Sequence, residues 1–391
     1  MLPSARDRTR RSSGGSSATV QSRPAARGGA VRRASTVSRE RPRPTQEWPA
    51  PSIAAAAPGR RGDRMRRGDL LLASVTAVLA RPSRARAQLA PQNGRVGLLT
   101  PIGLEGPATP RGGLLVRALE TRGYVLGRNL TLVARAAEGR VDRLPALARD
   151  LAAEKVDAIV TVGFPAALAA KRTGVPTVVA VGAGDPVATG LVASLARPGG
   201  TVTGISDNDV DLSAKRLELL RDIRPGLRRF AILYNADDLG MSLRYRVTEA
   251  TAGRLGLSVQ ALGVREPDDF ATAFRGMDET RPEAILMVTD ALTNLNRKRI
   301  FDDALARRIP AIYEQRSFVR EGGLMAYGSD ETEAFDRVAG MIDRIVNGEA
   351  PADLPFEQPT RFTFAINLKV ATAIGLAVPP TLLARADEVV E

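Results

Sequence analysis

Residues 158–163 read AIVTVG, and residues 165–172 follow almost directly with PAALAAKR. The first stretch is a near-continuous apolar run of strand length, which is typical of a strand that is buried on both faces of a sheet. The second stretch begins with proline and is rich in alanine, which favours a helix that starts at Pro165. A buried strand followed at once by a helix is the repeating unit of a parallel α/β sheet.

The same unit recurs twice along the chain. The first series predicts strands at Arg95–Thr100, Asn129–Ala134, Ala158–Val162, Thr177–Val181 and Val202–Ile205. It predicts helices at Gly113–Arg122, Leu144–Lys155 and Pro165–Arg172. The second series follows an amphipathic stretch at Leu212–Ile223 and predicts strands at Phe230–Tyr234, Ser258–Gly263, Ala284–Val288 and Ala311–Tyr313. It predicts helices at Ser242–Leu255, Asp268–Glu279 and Arg297–Arg308. These series predict two doubly wound parallel-sheet lobes.

The C-terminal part predicts that the chain crosses between the lobes more than once. A long helix at Glu331–Asn347 and a further segment at Phe356–Leu368 arrive after the second series is complete. We therefore expect lobe 1 to comprise residues 94–205 and 325–355, and lobe 2 to comprise residues 206–324 and 356–391. Several crossings between two lobes make a hinge.

The N-terminal residues differ in composition from the rest. The first 87 residues hold 19 Lys and Arg against 5 Asp and Glu, whereas the remaining 304 hold 37 against 38. The part with the α/β pattern is therefore nearly neutral, although the whole chain of 391 residues has a formal net charge of +13. The charge does not predict a nucleic-acid partner.

A secretory signal peptide is predicted at residues 65–87. A cationic Met65-Arg66-Arg67, an apolar run at Leu70–Ala80 and a small-residue site at Ala85-Arg86-Ala87 follow one another in the expected order. Eleven residues cover only about half of a ~30 Å hydrocarbon core, so this run is too short for a spanning helix. We expect translation to begin at Met65, with residues 1–64 as an upstream extension of disordered composition, and we expect a periplasmic location. The alternative is that residues 1–64 are a real part of the protein and form a basic tail of disordered composition.

The chain has no cysteine and no histidine. These absences exclude disulfides, thiolate nucleophiles, lipidated cysteines, Ser-His-Asp triads and imidazole metal ligands. An enzyme with a phosphate loop is not indicated either, because no Gly-x-x-x-x-Gly-Lys-Ser/Thr motif occurs and the run Gly182-Ala183-Gly184 lacks the third glycine of a dinucleotide fingerprint. We expect no catalytic residues, no cofactor and no metal.

Several longer strings resemble a known family. They lie at residues 137–140, 143–148, 165–171, 184–187, 190–195, 197–204, 215–220, 310–314, 322–328, 367–369 and 379–387. Through them the chain resembles the ABC-transporter substrate-binding proteins of the tryptophan/tyrosine-binding-like family, which have the type I periplasmic binding fold. The resemblance covers essentially all of residues 94–391 in order.

The resemblance implies two lobes that are joined by a three-segment hinge and close on a small ligand. The hinge would lie near Gly204–Asn208, Glu321–Met325 and Pro355–Thr360, and an ABC permease in the inner membrane would receive the ligand. The chain departs from the family pattern at Val162-Gly163-Phe164 and at Asn235-Ala236-Asp237-Asp238, where the family often has Gly-Gly-Thr and Asn-Pro-Asn. Both departures fall where the ligand is expected, so the resemblance does not define the ligand.

Glycine and polar residues end several predicted strands, and the carboxyl ends of parallel strands line the ligand crevice in open α/β sheets. These residues are Gly163, Asp185, Asn235 and Asp290. Each is also compatible with a helix cap or a turn. As ligand residues, Asp185 and Asp290 are the candidates for an ammonium group, because a desolvated amine needs an acid as its partner.

The other end of an amino acid needs hydrogen-bond donors. The helix start at Pro165 and Ala166 is a candidate for the carboxylate, and the Thr100 hydroxyl is a further donor. Phe164, Tyr313 and Tyr327 are candidate apolar walls. We therefore expect a monomeric, extracytoplasmic solute-binding component of an ABC importer, with no nucleic-acid partner.

Two other functions use the same fold. A ligand-binding sensory module without a transport role is the alternative to the importer. A transcriptional repressor would need a helix-turn-helix of about 60 residues ahead of the lobes, and residues 1–64 lack the apolar pattern of one.

Overall fold

The structure is a computed structural model that describes residues 93–103, 106–206 and 209–391. The predicted extension at 1–64 and the predicted signal peptide at 65–87 lie outside these residues.

Strands and helices alternate along the described chain, as the periodicity predicts. The strands are β1 Gly94–Thr100, β2 Leu130–Ala136, β3 Ala158–Val162, β4 Thr177–Val181, β5 Val202–Gly204, β6 Arg229–Asn235, β7 Ser258–Val264, β8 Ile285–Met287, β9 Ala311–Tyr313, β10 Met325–Ser329, β11 Phe362–Asn367 and β12 Glu388–Val390. The helices are α1 Pro110–Glu120, α2 Leu144–Ala153, α3 Phe164–Lys171, α4 Asp209–Ile223, α5 Leu239–Arg254, α6 Asp269–Thr280, α7 Ala291–Leu295, α8 Arg297–Arg307, α9 Arg316–Arg320, α10 Glu331–Val346, α11 Leu368–Ala373 and α12 Pro380–Leu383.

The first sheet has five parallel strands in the order β2-β1-β3-β4-β5. Every residue of β3 is buried, because helices cover both faces of the sheet. On one face α1 and α10 contribute Leu115, Leu119, Phe335 and Ile342 to a core with Val96 of β1. On the other face α2 and α3 contribute Leu144, Leu151, Ala166 and Ala169 to a core with Leu99 of β1.

The second sheet has seven strands in the order β12-β11-β10-β9-β8-β6-β7. All of its neighbours are parallel except β10 and β11, which are antiparallel. Helices α4, α5, α11 and α12 cover one face with Leu217, Met241, Ala371 and Leu382, and α6, α8 and α9 cover the other with Phe270, Ile300 and Phe318. The two α/β lobes predicted from the sequence are therefore present.

The structure corrects the predicted lobe boundary at residue 325. The sequence predicts Met325–Ser329 in lobe 1, but this segment is β10, and it pairs with β9 and β11 inside the second sheet. The chain returns to the first lobe only after Ser329, where α10 begins at Glu331. The crossing expected at Glu321–Met325 accordingly lies between β10 and α10.

Three crossings connect the lobes, and hydrogen bonds hold them side by side. The first follows β5 and the third precedes β11, and these two are joined because Ser206 N donates to Glu357 O at 2.8 Å and Glu357 N donates to Gly204 O at 2.9 Å. The second crossing joins the third, since Asp330 N donates to Arg361 O at 3.0 Å.

Candidate functional site

A cavity of about 680 Å³ lies between the two sheets and is lined by residues of both lobes. Its walls are built from the segments that follow β1, β2, β3 and β4 in the first lobe, and β6, β7, β8, β9 and β10 in the second. The carboxyl ends of the strands thus meet at one crevice, as the rule for open parallel sheets predicts. The volume suits a small-molecule ligand.

The first-lobe wall includes the turn between β3 and α3. Gly163 occupies the N-cap position of α3 with φ +84°, a left-handed conformation that strains residues with a Cβ. This turn aims the first turn of α3 at the cavity, where Gly163 and Pro165 both line the wall. The positive end of the helix dipole therefore faces the cavity.

The second-lobe wall carries a cluster of acidic and amide groups. Asn235 ends β6 and Asp290 follows β8, which pairs with β6, so the two side chains meet: Asn235 Nδ2 donates to Asp290 Oδ2 at 2.6 Å. Asp290 Oδ1 accepts from Thr293 N at 2.9 Å and thereby caps α7. The capping interpretation of Asp290 is correct, and the same residue also lines the cavity.

Asp238 is a site residue that the sequence analysis did not select. It is 5% exposed, it lines the cavity, and its Oδ1 accepts from Gly240 N at 2.8 Å as the N-cap of α5. Burial raises the pKa of Asp238 to about 7, with a further contribution from the negative charge of Asp290, against the lowering effects of two backbone amides and Arg244. A cationic group placed beside the two carboxylates would relieve this repulsion.

A buried ion cluster forms the base of the second-lobe wall. Glu314 Oε1 lies 2.6 Å from Arg244 Nη2 and 3.4 Å from Arg216 Nη1, and Arg216 Nε donates to Tyr327 O at 2.8 Å. These contacts join α4, α5, β10 and the end of β9, so they brace the wall. The sequence holds a signal for Glu314, because this residue directly follows a predicted strand. Asp290 comes two residues after a predicted strand.

Thr289 also lines the cavity, next to Asp290. It is 8% exposed, and among the described residues its Oγ1 has no hydrogen-bond partner. A buried hydroxyl without a partner is unfavourable by about 1–3 kcal/mol, so a ligand atom that bonds with it would contribute to affinity.

Four predicted residues of the first lobe do not line the cavity, and three of them are buried. Thr100 is fully buried and its Oγ1 accepts from Ile102 N at 3.1 Å, and it is the neighbours Pro101 and Ile102 that reach the wall. Phe164 packs instead into a core with Val179 and Ala183, and Ala166 lies on the buried face of α3.

The fourth, Asp185, and two tyrosines of the second lobe are also corrected. Asp185 is exposed and its Oδ1 accepts from Val187 N and Ala188 N, so it forms a turn, which was the competing interpretation. Tyr313 is buried in the core of the second lobe with its ring 4.8 Å from that of Phe301. Tyr327 stacks on Phe362. Of the predicted set, Gly163, Pro165, Asn235 and Asp290 line the cavity.

The described residues bear on two further features, a metal site and a membrane-spanning helix. Nowhere in them do three or more acidic side chains come together as a metal site. None of their helices has the length and apolar character needed to cross a membrane.

Comparison with known families identifies the chain. The family description "ABC transporter substrate binding protein" matches residues 95–390. The chain belongs to this family. The resemblance inferred from the sequence is therefore confirmed, and the family consists of solute-binding proteins rather than enzymes.

Individual relatives of this substrate-binding protein are distant. The "Tyrosine-binding protein" of Clostridioides difficile (strain R20291) is 24% identical over 263 residues, which are 67% of this chain and 75% of the relative. Among solved structures, a conserved domain protein from Vibrio cholerae has a TM-score of 0.71 at 23% identity. The ABC domain from Streptococcus pneumonia in complex with L-Trp has a TM-score of 0.70 at 23% identity. Each match covers 76% of this chain and 100% of the other, which establishes the shared fold.

Proposed function

We propose that this protein is the extracytoplasmic, periplasmic solute-binding component of an ABC importer and that it binds an amino acid or a similar small polar solute in the cavity between its lobes. The ligand would be handed to an ABC permease in the inner membrane. The relatives that bind tyrosine or tryptophan support an amino acid as the class of ligand.

One observation carries this proposal: groups of opposite character meet at one corner of the cavity. A Cβ built on Gly240, at the start of α5, would lie 3.3 Å from Phe164 Cβ at the start of α3. The acidic cap of α5, Asp238, therefore lies near the positive end of α3. An α-amino acid carries its ammonium and carboxylate on one carbon, so both charges would find complementary groups in this corner.

Closure follows from contacts that both lobes make to one ligand. Such contacts exist together only when the cleft is shut, so the ligand shifts the population toward the closed form by its differential affinity. The permease would recognise that form.

A thermal-shift panel of amino acids, purine derivatives and small organic acids tests the proposal. A true ligand at ~100 times its dissociation constant adds about 2.7 kcal/mol to the free energy of unfolding, which raises the melting temperature by several degrees. Failure of every compound to shift the melting temperature would contradict the proposal.

The Asp290→Asn variant tests the amine contact. Asparagine keeps an acceptor for the α7 cap but removes the charge, so we expect the variant to fold and to lose most of the shift given by an amine-bearing ligand. Asp185→Asn is the matched control, because Asp185 is exposed and does not line the cavity. An unchanged shift in Asp290→Asn would remove Asp290 from the site.

The transport role needs a separate measurement. Deletion of the gene should abolish high-affinity uptake of the radiolabelled ligand by cells, and a copy of the gene should restore it. Unchanged uptake would favour the sensory alternative.

A further inference from the structure

The two lobes touch each other on both sides of the cavity. On one side, Gly184 of the first lobe faces Gly240 of the second, and a Cβ built on Gly184 would lie 3.3 Å from Gly240 O. On the other side, a Cβ built on Gly139 would lie 2.9 Å from Leu295 Cδ1. A glycine therefore stands at each of these two close approaches between the lobes.

The Gly240 side is the less adaptable of the two. The atoms that a Cβ on Gly240 would meet across the cleft are Phe164 Cβ at 3.3 Å and Ala183 O at 3.5 Å. One is a buried atom next to the backbone and the other is a backbone atom, so neither can move without shifting α3 or the end of β4. Leu295 Cδ1, by contrast, is the end of an exposed side chain and can rotate away.

The conformation of Gly240 itself does not require glycine. Its φ is not positive, and it lies in the first turn of α5, where alanine is a better helix former by about 1 kcal/mol in a helix interior. A Cβ on Gly240 would lie 3.2 Å from Asp238 Oδ1, the cap of the same helix, and almost as close to the opposing lobe, so both limit the space at this position.

We propose that Gly240 is a positioning residue for ligand binding. Because it has no side chain, the start of α5 can pack against Phe164 and Gly184, and we call this contact the seat. The seat brings the two walls of the ligand site together. The inference rests on the proposed solute-binding function for its effect on affinity. The seat itself is a property of the lobes alone.

Disulfide trapping tests the seat without any ligand. The chain has no cysteine, so a pair introduced as Phe164→Cys and Gly240→Cys would be the only thiols. A disulfide needs a Cβ–Cβ separation of about 3.5–4.5 Å, which these positions reach after a shift of a few tenths of an ångström. We expect the pair to oxidise readily and to show faster migration on a non-reducing gel.

The matched control pairs Phe164→Cys with Gly253→Cys. Gly253 lies in the same helix α5, but a Cβ there would have nothing within 4 Å. This pair should stay reduced under the same conditions. A folded Phe164/Gly240 pair that also stays reduced, with a melting temperature equal to that of the control pair, would overturn the proposal.

The single variant Gly240→Ala provides a test that leaves the Phe164 side chain in place. We expect its melting temperature without ligand to equal or exceed that of the wild type, and its affinity for the ligand found in the panel to fall at least tenfold, because the added methyl obstructs closure. Gly253→Ala should keep wild-type affinity. Equal affinities for the two variants would overturn the proposal.

These readouts separate the two proposals. If no compound stabilises the wild type, the proposed function fails, and trapping still decides whether the lobes reach this seat. If a ligand binds but trapping fails, the seat is wrong and the solute-binding function stands.

Discussion

Asp185, Asp238 and Asp290 each follow a strand, and their surroundings distinguish them. Each accepts hydrogen bonds from backbone amides two or three residues further on, so all three act as local caps or turn formers. Only Asp238 and Asp290 also line the cavity. The environment of each carboxylate therefore decides its chemistry. Proximity to another acid and exclusion from water distinguish the three, whereas the local capping pattern does not.

Asp238 makes the stability of the ligand-free protein depend on pH. Its folded pKa of about 7 lies above the ordinary value of 3.8, so its contribution to stability is fully present below about pH 4 and is lost as the pH rises through 7. Asp238→Asn keeps a cap acceptor but does not titrate. We expect urea unfolding to show that the variant gains stability relative to the wild type between pH 4 and pH 8. A constant difference over this range would contradict the prediction.

At the scale of elements, the start of α10 is tied to the third crossing. Glu333, in the first turn of α10, accepts hydrogen bonds from Thr360 N and Arg361 N, and Arg337 one turn later bonds with both Glu333 and Glu357. A helix of the first lobe is thereby attached to the segment that leads into β11 of the second lobe. This network ties the second crossing to the third. Its residues do not line the cavity.

Glu333→Gln tests this network through its pH dependence. Partial burial raises the pKa of Glu333, but hydrogen bonds from Thr360, Arg361 and Arg337 outweigh it and lower the pKa to about 2. The stabilisation is therefore present above the ordinary pKa of 4.5 and is lost as the pH falls toward 2. Urea unfolding should show a deficit for the variant at pH 7 that shrinks between pH 4.5 and pH 3.

The control for this measurement is Glu279→Gln, since Glu279 is exposed on α6. It should show no comparable deficit at pH 7. A deficit for Glu333→Gln that is the same at pH 7 and pH 3 would assign the effect to shape rather than to charge.

At the scale of the whole molecule, each sheet has its own hydrophobic cores. Phe335 of α10 packs with β1 and β3 of the first sheet, although it follows most of the second lobe in the chain. Phe270 of α6 packs with β6 and β8 of the second sheet. Separate cores linked by three crossings allow the lobes to move as rigid bodies about those crossings.

Paired core truncations test this division. Phe335→Ala and Phe270→Ala should each destabilise their own lobe by about 3–5 kcal/mol. Hydrogen exchange read by mass spectrometry should show faster exchange in β1 and β3 for the first variant, and in β6 and β8 for the second. If either variant accelerated exchange equally in both sheets, the lobes would form one cooperative unit.

The sequence predicted most of the fold but less of the site. Strands such as Ala158–Val162, Thr177–Val181 and Ala311–Tyr313 were predicted with the bounds that the structure has, because an apolar run bounded by turn residues is a local signal. β10 was placed in the wrong lobe because its partners, β9 and β11, are not encoded within its own five residues. The aromatic candidates Phe164, Tyr313 and Tyr327 failed for a related reason, since residue type does not tell a core ring from a cavity wall.

Periodicity, glycine and proline positions and the family strings by themselves determined that this chain forms two α/β lobes of a solute-binding protein, because each of these signals lies within a few neighbouring residues. Only the tertiary structure decided which polar groups meet. It brought Asp238 beside Asp290, set Arg216 and Arg244 on Glu314, and laid Gly240 against Phe164. Burial, charge repulsion and close approach depend on residues that are distant in the chain, and the fold alone brings those residues together.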